Sequence, residues 1–171
     1  MRVIITDSDR FDEYNKCIAD DYADICILYE DGMELPKDTR VLNIMFNESM
    51  ENIKFPDSIE VIRFSFHYRH PIENLNYPPN LKELHFPIWY EYSIKNIKVN
   101  EDCIFKFYCS KERDIALDNL PNYIKKLHIS WFERPLYNLP YTLELLEIYQ
   151  YSDFVKERIN QSKILFTNTE S

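Results

Sequence analysis

Two aspartates near the amino terminus come closest to a catalytic motif by residue type and spacing. Asp7 and Asp9 form a D-x-D motif directly after the apolar residues 3–5, which predict a β-strand. Carboxylates in this position could act as nucleophile and general acid/base in phosphoryl transfer. Phosphatases with such a motif need further lysine and acidic motifs, and here Arg10 and Phe11 replace the Gly-Thr pair that usually follows. We therefore interpret the aspartates as helix caps and keep a phosphatase-like enzyme as a remote alternative.

Metal and nucleotide sites find little support in the residue pattern. His67 and His70 form an H-x-x-H pair, but the surrounding pattern supplies no further metal ligands. The spacings of the four cysteines, C-x8-C and C-x5-C, match no common zinc motif. The only glycine is Gly32, so no glycine-rich loop can be written to hold a phosphate. The sequence thus predicts a protein that is not an enzyme and uses no metal or cofactor.

Composition and charge favour a cytoplasmic protein that binds neither nucleic acid nor membranes. The 171 residues carry a net charge of −9, whereas a nucleic-acid binder needs a basic face. No apolar run approaches the roughly 18 residues that cross a bilayer, and the amino terminus lacks the apolar core of a secretory signal. With 45% hydrophobic residues, the chain has enough apolar material for a core.

A repeat of about 21 residues organises the sequence. In four of the six copies a proline is followed three, six and eight residues later by Ile, Leu or Phe. The copies begin at Pro36, Pro56, Pro78, Val99, Pro121 and Pro140, where the Pro36 copy is weaker and Val99 replaces the proline in a degenerate copy. The starts differ by 20, 22, 21, 22 and 19 residues. A second pattern precedes each of the last five starts in the same register: Met, Ile or Leu, then any residue, then Asn, then Ile or Leu.

This repeat predicts an α/β fold, a leucine-rich-repeat-like solenoid with a curved parallel β-sheet of about seven to nine strands. The last two apolar residues of each copy alternate, so both point from a short strand into one core. One coil cannot bury its own apolar face, so the coils must stack. The Asn either adopts a left-handed conformation or hydrogen-bonds the loop backbone. The convex segments are expected to be short and irregular or 3-10 helical.

A single solenoid domain is predicted over residues 1–171, with a cap that contains a small helix at each end. Residues 1–35 form the amino-terminal cap, 36–150 the repeats and 151–171 the carboxyl-terminal cap. The predicted cap elements are strand 2–6, helix 9–19, strand 24–29, helix 152–160 and edge strand 163–166. Gly32 lies at the junction of the first cap and the repeats, where we expect a special backbone conformation.

The outward positions of the strands are candidates for a binding surface. One outward residue lies between the two core residues of each strand, where we expect it to be exposed, and a second follows them. The first column, here named the polar ladder, consists of Asn43, Arg63, His85, Lys106, His128 and Glu147. The second column consists of Met45, Ser65, Pro87, Tyr108, Ser130 and Tyr149. The mixture of Arg, Lys, His and Tyr suits a protein partner with acidic groups, although such residues also keep a sheet face soluble.

Aromatic residues cluster where the strands are expected to end. They are Phe66, Tyr68, Trp89, Tyr90, Trp131, Phe132 and Tyr151. Most are expected to pack together as an extension of the core, and any that are exposed would form an interaction patch. The candidate partner-binding residues are Arg63, His85, Lys106, Tyr108, His128, Trp131, Glu147 and Tyr149.

Residues 46–150 resemble the FNIP repeat, a leucine-rich-type repeat of roughly 22 residues. The resemblance rests on segments 72–86 (Ile-Glu-Asn-Leu through Phe) and 135–148 (Pro-Leu-Tyr-Asn-Leu-Pro through Ile). Phe46 and Asn47 also match the family's Phe-Asn pair. The family's glycine after the strand is absent from every copy, and the Val99 copy lacks the proline. Such repeats are common in amoebae and in the giant DNA viruses that infect them, and the richness in Asn, Ile, Lys and Tyr suits a viral origin.

We therefore expect a non-catalytic protein–protein interaction module that uses the concave sheet face or the aromatic loop edge. If the protein is viral, the expected partner is a host factor in the host cytoplasm. The chain is expected to be a monomer or to self-associate weakly. A structural or assembly subunit is the alternative.

Overall fold

The structure, a computed structural model, describes residues 1–9, 24–88, 90–108, 120–130, 139–149 and 165–167. These described residues include eight β-strands between residues 2 and 149, and a ninth short strand that pairs with the eighth. The strands are β1 (Arg2–Thr6), β2 (Ile25–Leu28), β3 (Val41–Ile44), β4 (Val61–Phe64), β5 (Glu83–His85), β6 (Ile104–Tyr108), β7 (Lys126–Ser130), β8 (Leu145–Tyr149) and β9 (Leu165–Thr167).

All the strands belong to one sheet in which every neighbouring pair is parallel. The chain forms a β-solenoid of about five turns, so the predicted solenoid with a parallel sheet is confirmed. The described segments between strands are turns and irregular backbone, and no helix occurs among the described residues. Nothing in that part of the chain therefore forms a membrane-spanning helix. The predicted cap helices, 9–19 and 152–160, lie outside the described residues except for Asp9, which is in a turn.

Equivalent residues of successive repeats lie side by side across the sheet. Their register places Leu42, Ile62, Leu84, Phe105, Leu127 and Leu146 in one column, and all six are at most 1% exposed. The second buried column contains Ile44, Phe64, Phe86, Phe107 and Ile129. Burial of apolar surface stabilises the fold by about 25 cal/mol per Å². Each coil buries these residues only by stacking on its neighbours.

A tight turn precedes most strands of the repeat and begins at the proline. In this turn the backbone N–H of Leu81 donates to the carbonyl of Pro78 at 3.2 Å. In the degenerate copy the N–H of Cys103 donates to Asn100 at 3.2 Å, and Cys103 is only 2% exposed. The alignment of Val99 with the prolines is therefore wrong by one residue. The alignment fails because this coil has one residue fewer between its turn and its strand than the other coils.

Polar side chains in these turns link each coil to the preceding one. The Asn80 amide donates to the carbonyl of Asp57 at 2.9 Å, and the Asn100 amide donates to that of Pro79 at 3.2 Å. The Ser58 hydroxyl lies 2.6 and 2.7 Å from two carbonyl oxygens of the preceding coil. These turn asparagines therefore join the coils by hydrogen-bonding the backbone. They are not the Asn of the recurring pattern: the pattern residue Asn52 donates from its amide to the carboxylate oxygens of Asp31 at 3.2 and 3.1 Å, so the two roles predicted for the pattern Asn stay predictions.

The strand order at the amino terminus is β2-β1-β3, so β1 lies inside the sheet and β2 at its edge. Val3, Ile4 and Ile5 are all 0% exposed, so β1 is apolar on both faces and suits a central position. Gly32, in the turn after β2, has a φ of +73°, which confirms the special conformation expected there. This left-handed residue helps the chain reverse from the sheet edge and pass β1 to reach β3.

Candidate functional site

The polar ladder forms a continuous row on the sheet face opposite the apolar core. It runs in register through Asn43, Arg63, His85, Lys106, His128 and Glu147. Neighbouring strands in a sheet lie about 4.8 Å apart, so adjacent ladder side chains are within reach of one another. The repeat therefore positions the ladder, because each strand contributes the residue between its two core positions.

The ladder is less exposed than the sequence suggests. Asn43 is 2% exposed and His85 is 5% exposed, whereas Arg63 is only half-buried. The expectation of one exposed side chain on each strand is therefore wrong for Asn43 and His85. His85 is buried partly because the Tyr108 ring stacks on its imidazole, with 5.8 Å between the ring centroids. His85 can therefore line a pocket or position its neighbours, but it offers little surface of its own.

His85 is the centre of a hydrogen-bonded network. Its Nε2 lies 2.9 Å from Oε2 of Glu83, and its Nδ1 lies 2.8 Å from the hydroxyl of Tyr108. The same Glu83 oxygen is 3.1 Å from Nζ of Lys106. Burial raises the pKa of Glu83, but the hydrogen bonds from His85 and Lys106 outweigh burial and hold the pKa below its usual value. Glu83 is therefore ionised and accepts from both neighbours.

The proton positions in this network follow from its chemistry. Burial lowers the pKa of His85 to about 4; the Glu83 hydrogen bond opposes this, and the nearby Arg63 and Lys106 charges reinforce it. The imidazole is therefore neutral at pH 7. Because the Glu83 carboxylate can only accept, Nε2 of His85 carries the proton and Nδ1 accepts from the Tyr108 hydroxyl. Burial raises the pKa of Tyr108, so its hydroxyl stays protonated at pH 7. Because that proton is donated to Nδ1 of His85, the Tyr108 oxygen offers a ligand only its lone pairs.

His128 and Glu147 form a second pair farther along the ladder. Nδ1 of His128 lies 3.4 Å from Oε2 of Glu147, and the two side chains are 14% and 29% exposed. Burial lowers the pKa of His128, and the positive charge of Lys106 lowers it further, so that this imidazole also stays neutral at pH 7. Lys106 itself is bound to Glu83, so neither Lys106 nor the neutral His128 offers a free positive charge to a ligand at this end of the ladder.

Arg63 differs from Lys106, the other basic residue of the ladder with a full charge at pH 7, because it has no carboxylate partner in the described part of the chain. Lys106 pairs with Glu83 at 3.1 Å, and Arg40 pairs with Glu60 at 2.6 Å at the strand entrances. Among the described residues Arg63 forms no hydrogen bond or ion pair. Its guanidinium is half-buried on the outer face and keeps all five N–H donors for a ligand.

A pocket of about 260 Å³, here named the ladder pocket, opens beside Arg63. Its polar lining comes from Asn43, Arg63, Ser65, His85 and Tyr108. Asn43 Oδ1 and Ser65 Oγ are buried there without a hydrogen-bond partner in the described part of the chain. An unpaired buried polar group costs about 1–3 kcal/mol, so two such groups beside an unpaired arginine indicate a place for a polar ligand.

The aromatic residues at the strand ends divide into buried and exposed groups. Tyr68 and Tyr90 are 0% and 4% exposed and extend the core as expected, whereas Phe66 is 46% exposed at the ladder pocket. The candidate residue Trp131 lies outside the described residues, as do Trp89, Phe132 and Tyr151. For Tyr149 only the strand position on β8 is described.

The motifs considered for catalysis and metal binding contribute no side chain to the lining of the ladder pocket, although the centroid of the His67 ring lies 3.8 Å from that of the lining residue Phe66. Asp7 and Asp9 are in the turn after β1, half-buried and exposed respectively. The residues directly after Asp9 lie outside the described ranges, so its role as a helix cap stays a prediction. His70 Nε2 lies 3.2 Å from the carbonyl oxygen of Asn47. Within the described ranges, no three His, Cys, Asp or Glu side chains converge to hold a metal ion.

Three polar residues of the site were missed among the candidate partner-binding residues: Asn43, Glu83 and Ser65. Asn43 was predicted to lie in the polar ladder but was not chosen, because it carries neither charge nor aromatic ring. Glu83 lies two positions before His85 on the same face of β5, so the period of a strand was the available signal. Ser65 belongs to the second outward column but lacks the charge or aromatic ring by which candidates were chosen. Its burial depends on neighbouring coils, and no local sequence pattern reports that.

Comparisons with protein-family models, with curated proteins and with solved structures found no match to this chain. The resemblance to FNIP repeats therefore stays a prediction. The candidate function depends on the geometry of the outer sheet face.

Proposed function

We propose that this protein is a non-catalytic binding module that holds a protein partner on the outer face of its sheet. The main support for the proposal is the charge of Arg63, because this half-buried cation has no carboxylate partner among the described residues. The acidic group that it lacks is then supplied by the partner. Charged groups arranged in this way steer association and fix the orientation of a complex.

The surroundings of Arg63 support a contact surface of mixed polarity. Phe66, 46% exposed, provides apolar contact area, and Tyr108 adds an aromatic ring with a polar tip. Arginine and tyrosine are enriched among the residues that dominate binding energies. If the FNIP resemblance reflects a viral origin, the partner is a host protein.

Affinity capture with a charge reversal tests this proposal. The full chain is immobilised, incubated with cell extract, and bound proteins are identified by mass spectrometry. We expect Arg63→Glu to abolish specific capture, because it replaces the unpaired cation with a repelling charge. The double change Arg63→Glu with Lys106→Glu should do the same, although it also disrupts the Glu83 ion pair.

Arg40→Glu is the matched control, because Arg40 is also an arginine but lies at a strand entrance, with a side chain 61% exposed. It should leave capture unchanged. Circular dichroism spectra of all variants establish that the sheet is retained. Equal capture by the wild type, Arg63→Glu and Arg40→Glu would contradict the proposed surface.

A further inference from the structure

The ladder pocket combines one cation, unpaired polar atoms and an apolar wall within a space of about 260 Å³. Resting on the proposed function, we propose that it binds the carboxyl-terminal residue of a partner peptide whose last side chain is apolar. The terminal carboxylate pairs with Arg63, the backbone N–H meets the acceptors of the pocket, and the side chain contacts its apolar wall. Each of these contacts follows from a separate feature of the pocket.

The carboxylate is assigned by the charge balance around the pocket. Arg63 supplies a guanidinium with two parallel N–H groups that match the two oxygens of a carboxylate. Lys106 is already paired with Glu83 at 3.1 Å, and the His85 imidazole is neutral at pH 7. The pocket therefore offers one uncompensated positive charge, with the Glu83 carboxylate nearby. That balance suits a monoanion better than a doubly charged phosphate.

The backbone N–H is assigned by the unpaired polar atoms. Asn43 is 2% exposed and Ser65 is 8% exposed, and their Oδ1 and Oγ atoms have no hydrogen-bond partner among the described residues. The Tyr108 proton is used on His85, so its oxygen can only accept. The pocket thus needs a ligand N–H for Asn43 or Tyr108 and an acceptor for the Ser65 hydroxyl. A peptide terminus carries both, within one residue.

The apolar side chain is assigned by the rest of the lining. Met45, Phe66 and Ile88 line the pocket beside its polar groups. The volume of about 260 Å³ lies below the 300–1,000 Å³ that is typical of pockets for drug-sized ligands, so it suits a single residue. An aliphatic side chain such as leucine would cover this wall while its carboxylate faces Arg63.

Titration with a short peptide tests the assignment directly. The probe is the tetrapeptide acetyl-Gly-Ser-Gly-Leu with a free carboxylate, and its control is the same peptide with a carboxyl-terminal amide. Binding to the full chain is followed by chemical-shift changes in amide NMR spectra. We expect the amide to bind at least about tenfold more weakly, because a hydrogen bond to a charged group is lost.

Two variants locate the peptide on the protein. Arg63→Gln should weaken binding of the acid at least about tenfold, whereas Arg40→Gln should leave it unchanged. Ser65→Ala should weaken it several-fold without loss of stability, because the removed hydroxyl has no hydrogen-bond partner among the described residues. That combination separates a binding role from a structural one.

Undetectable binding, equal binding of acid and amide, or full binding by Arg63→Gln would each overturn the peptide-terminus assignment. Binding of free leucine but not of the peptide would overturn it too, in favour of a free amino acid. None of these results would by itself contradict the proposed function. If Arg63→Glu still abolishes partner capture, the proposed function stands, and Arg63 contacts a group of the partner other than its carboxyl terminus.

Discussion

The unpaired amide of Asn43 leads to the sharpest prediction, because a substitution there should stabilise the fold and impair binding at once. Asn43 is 2% exposed, and its Oδ1 has no hydrogen-bond partner among the described residues. Asn43→Val removes that oxygen, and Val is also the better residue for a strand. Relief of a buried unpaired polar group is worth about 1–3 kcal/mol in the free energy of unfolding.

This gain should be visible as a higher melting temperature. For a domain of this size each kcal/mol shifts Tm by about 2–4 °C, so we expect an increase of about 2–12 °C. Thermal and urea unfolding followed by circular dichroism measure both quantities. The same variant should bind the acetylated tetrapeptide acid more weakly, because one acceptor of the ladder pocket is lost.

Asn100→Ala is the opposite control, because the Asn100 side chain is hydrogen-bonded. Its amide donates to the carbonyl of Pro79 at 3.2 Å, and its Oδ1 accepts the N–H of Asp102 at 3.0 Å. Loss of these bonds should lower stability by about 1–3 kcal/mol. If Asn43→Val also lowered the free energy of unfolding by more than 1 kcal/mol, roughly the worth of one hydrogen bond, the assignment of Asn43 as an unpaired group would be refuted.

Two further predictions concern the backbone and the titration of the ladder. Gly32→Ala should destabilise the protein by about 1–2 kcal/mol, because the φ of +73° is strained for Ala, and Gly32→Asn should cost less, because Asn adopts this conformation more readily. The cost is due to the backbone alone, since an added Cβ meets no atom within 4 Å. Equal melting temperatures for the three proteins would contradict this. The pKa of His85 is about 4 against an ordinary 6.5, so as the pH falls below 6.5 the unfolded chain takes up the proton first and stability is lost. In urea unfolding, the free energy of unfolding of the wild type should fall between pH 7 and pH 5 by about 2 kcal/mol more than that of His85→Gln. Parallel pH profiles for the two proteins would argue against a buried neutral His85.

The fold could be predicted from the sequence wherever a local pattern repeats. The apolar residues six and eight positions after each repeat start predicted the core columns, and their alternation predicted the outward column that became the polar ladder. The strand predicted at residues 2–6 is β1, and the edge strand predicted at 163–166 overlaps β9. These features are local, because periodicity alone decides which side of a strand a residue faces.

Tertiary structure decided what depends on contacts between coils. The insertion of β1 between β2 and β3 buries both faces of an apolar strand, and no repeat spacing encodes that order. The turn at Asn100 shows that a coil can lose a residue and still keep the strand register, so the proline alignment failed there.

The candidate site shows the same division. The sequence by itself determined that Arg63, His85 and Lys106 share one face, because each lies between two core residues of its strand. Only the stacked coils determined that Glu83 neutralises Lys106, that His85 is buried, and that Arg63 has no described carboxylate partner. Charge pairing and burial are properties of neighbours about 20 residues apart in the chain, and adjacent strands bring those neighbours to within about 5 Å.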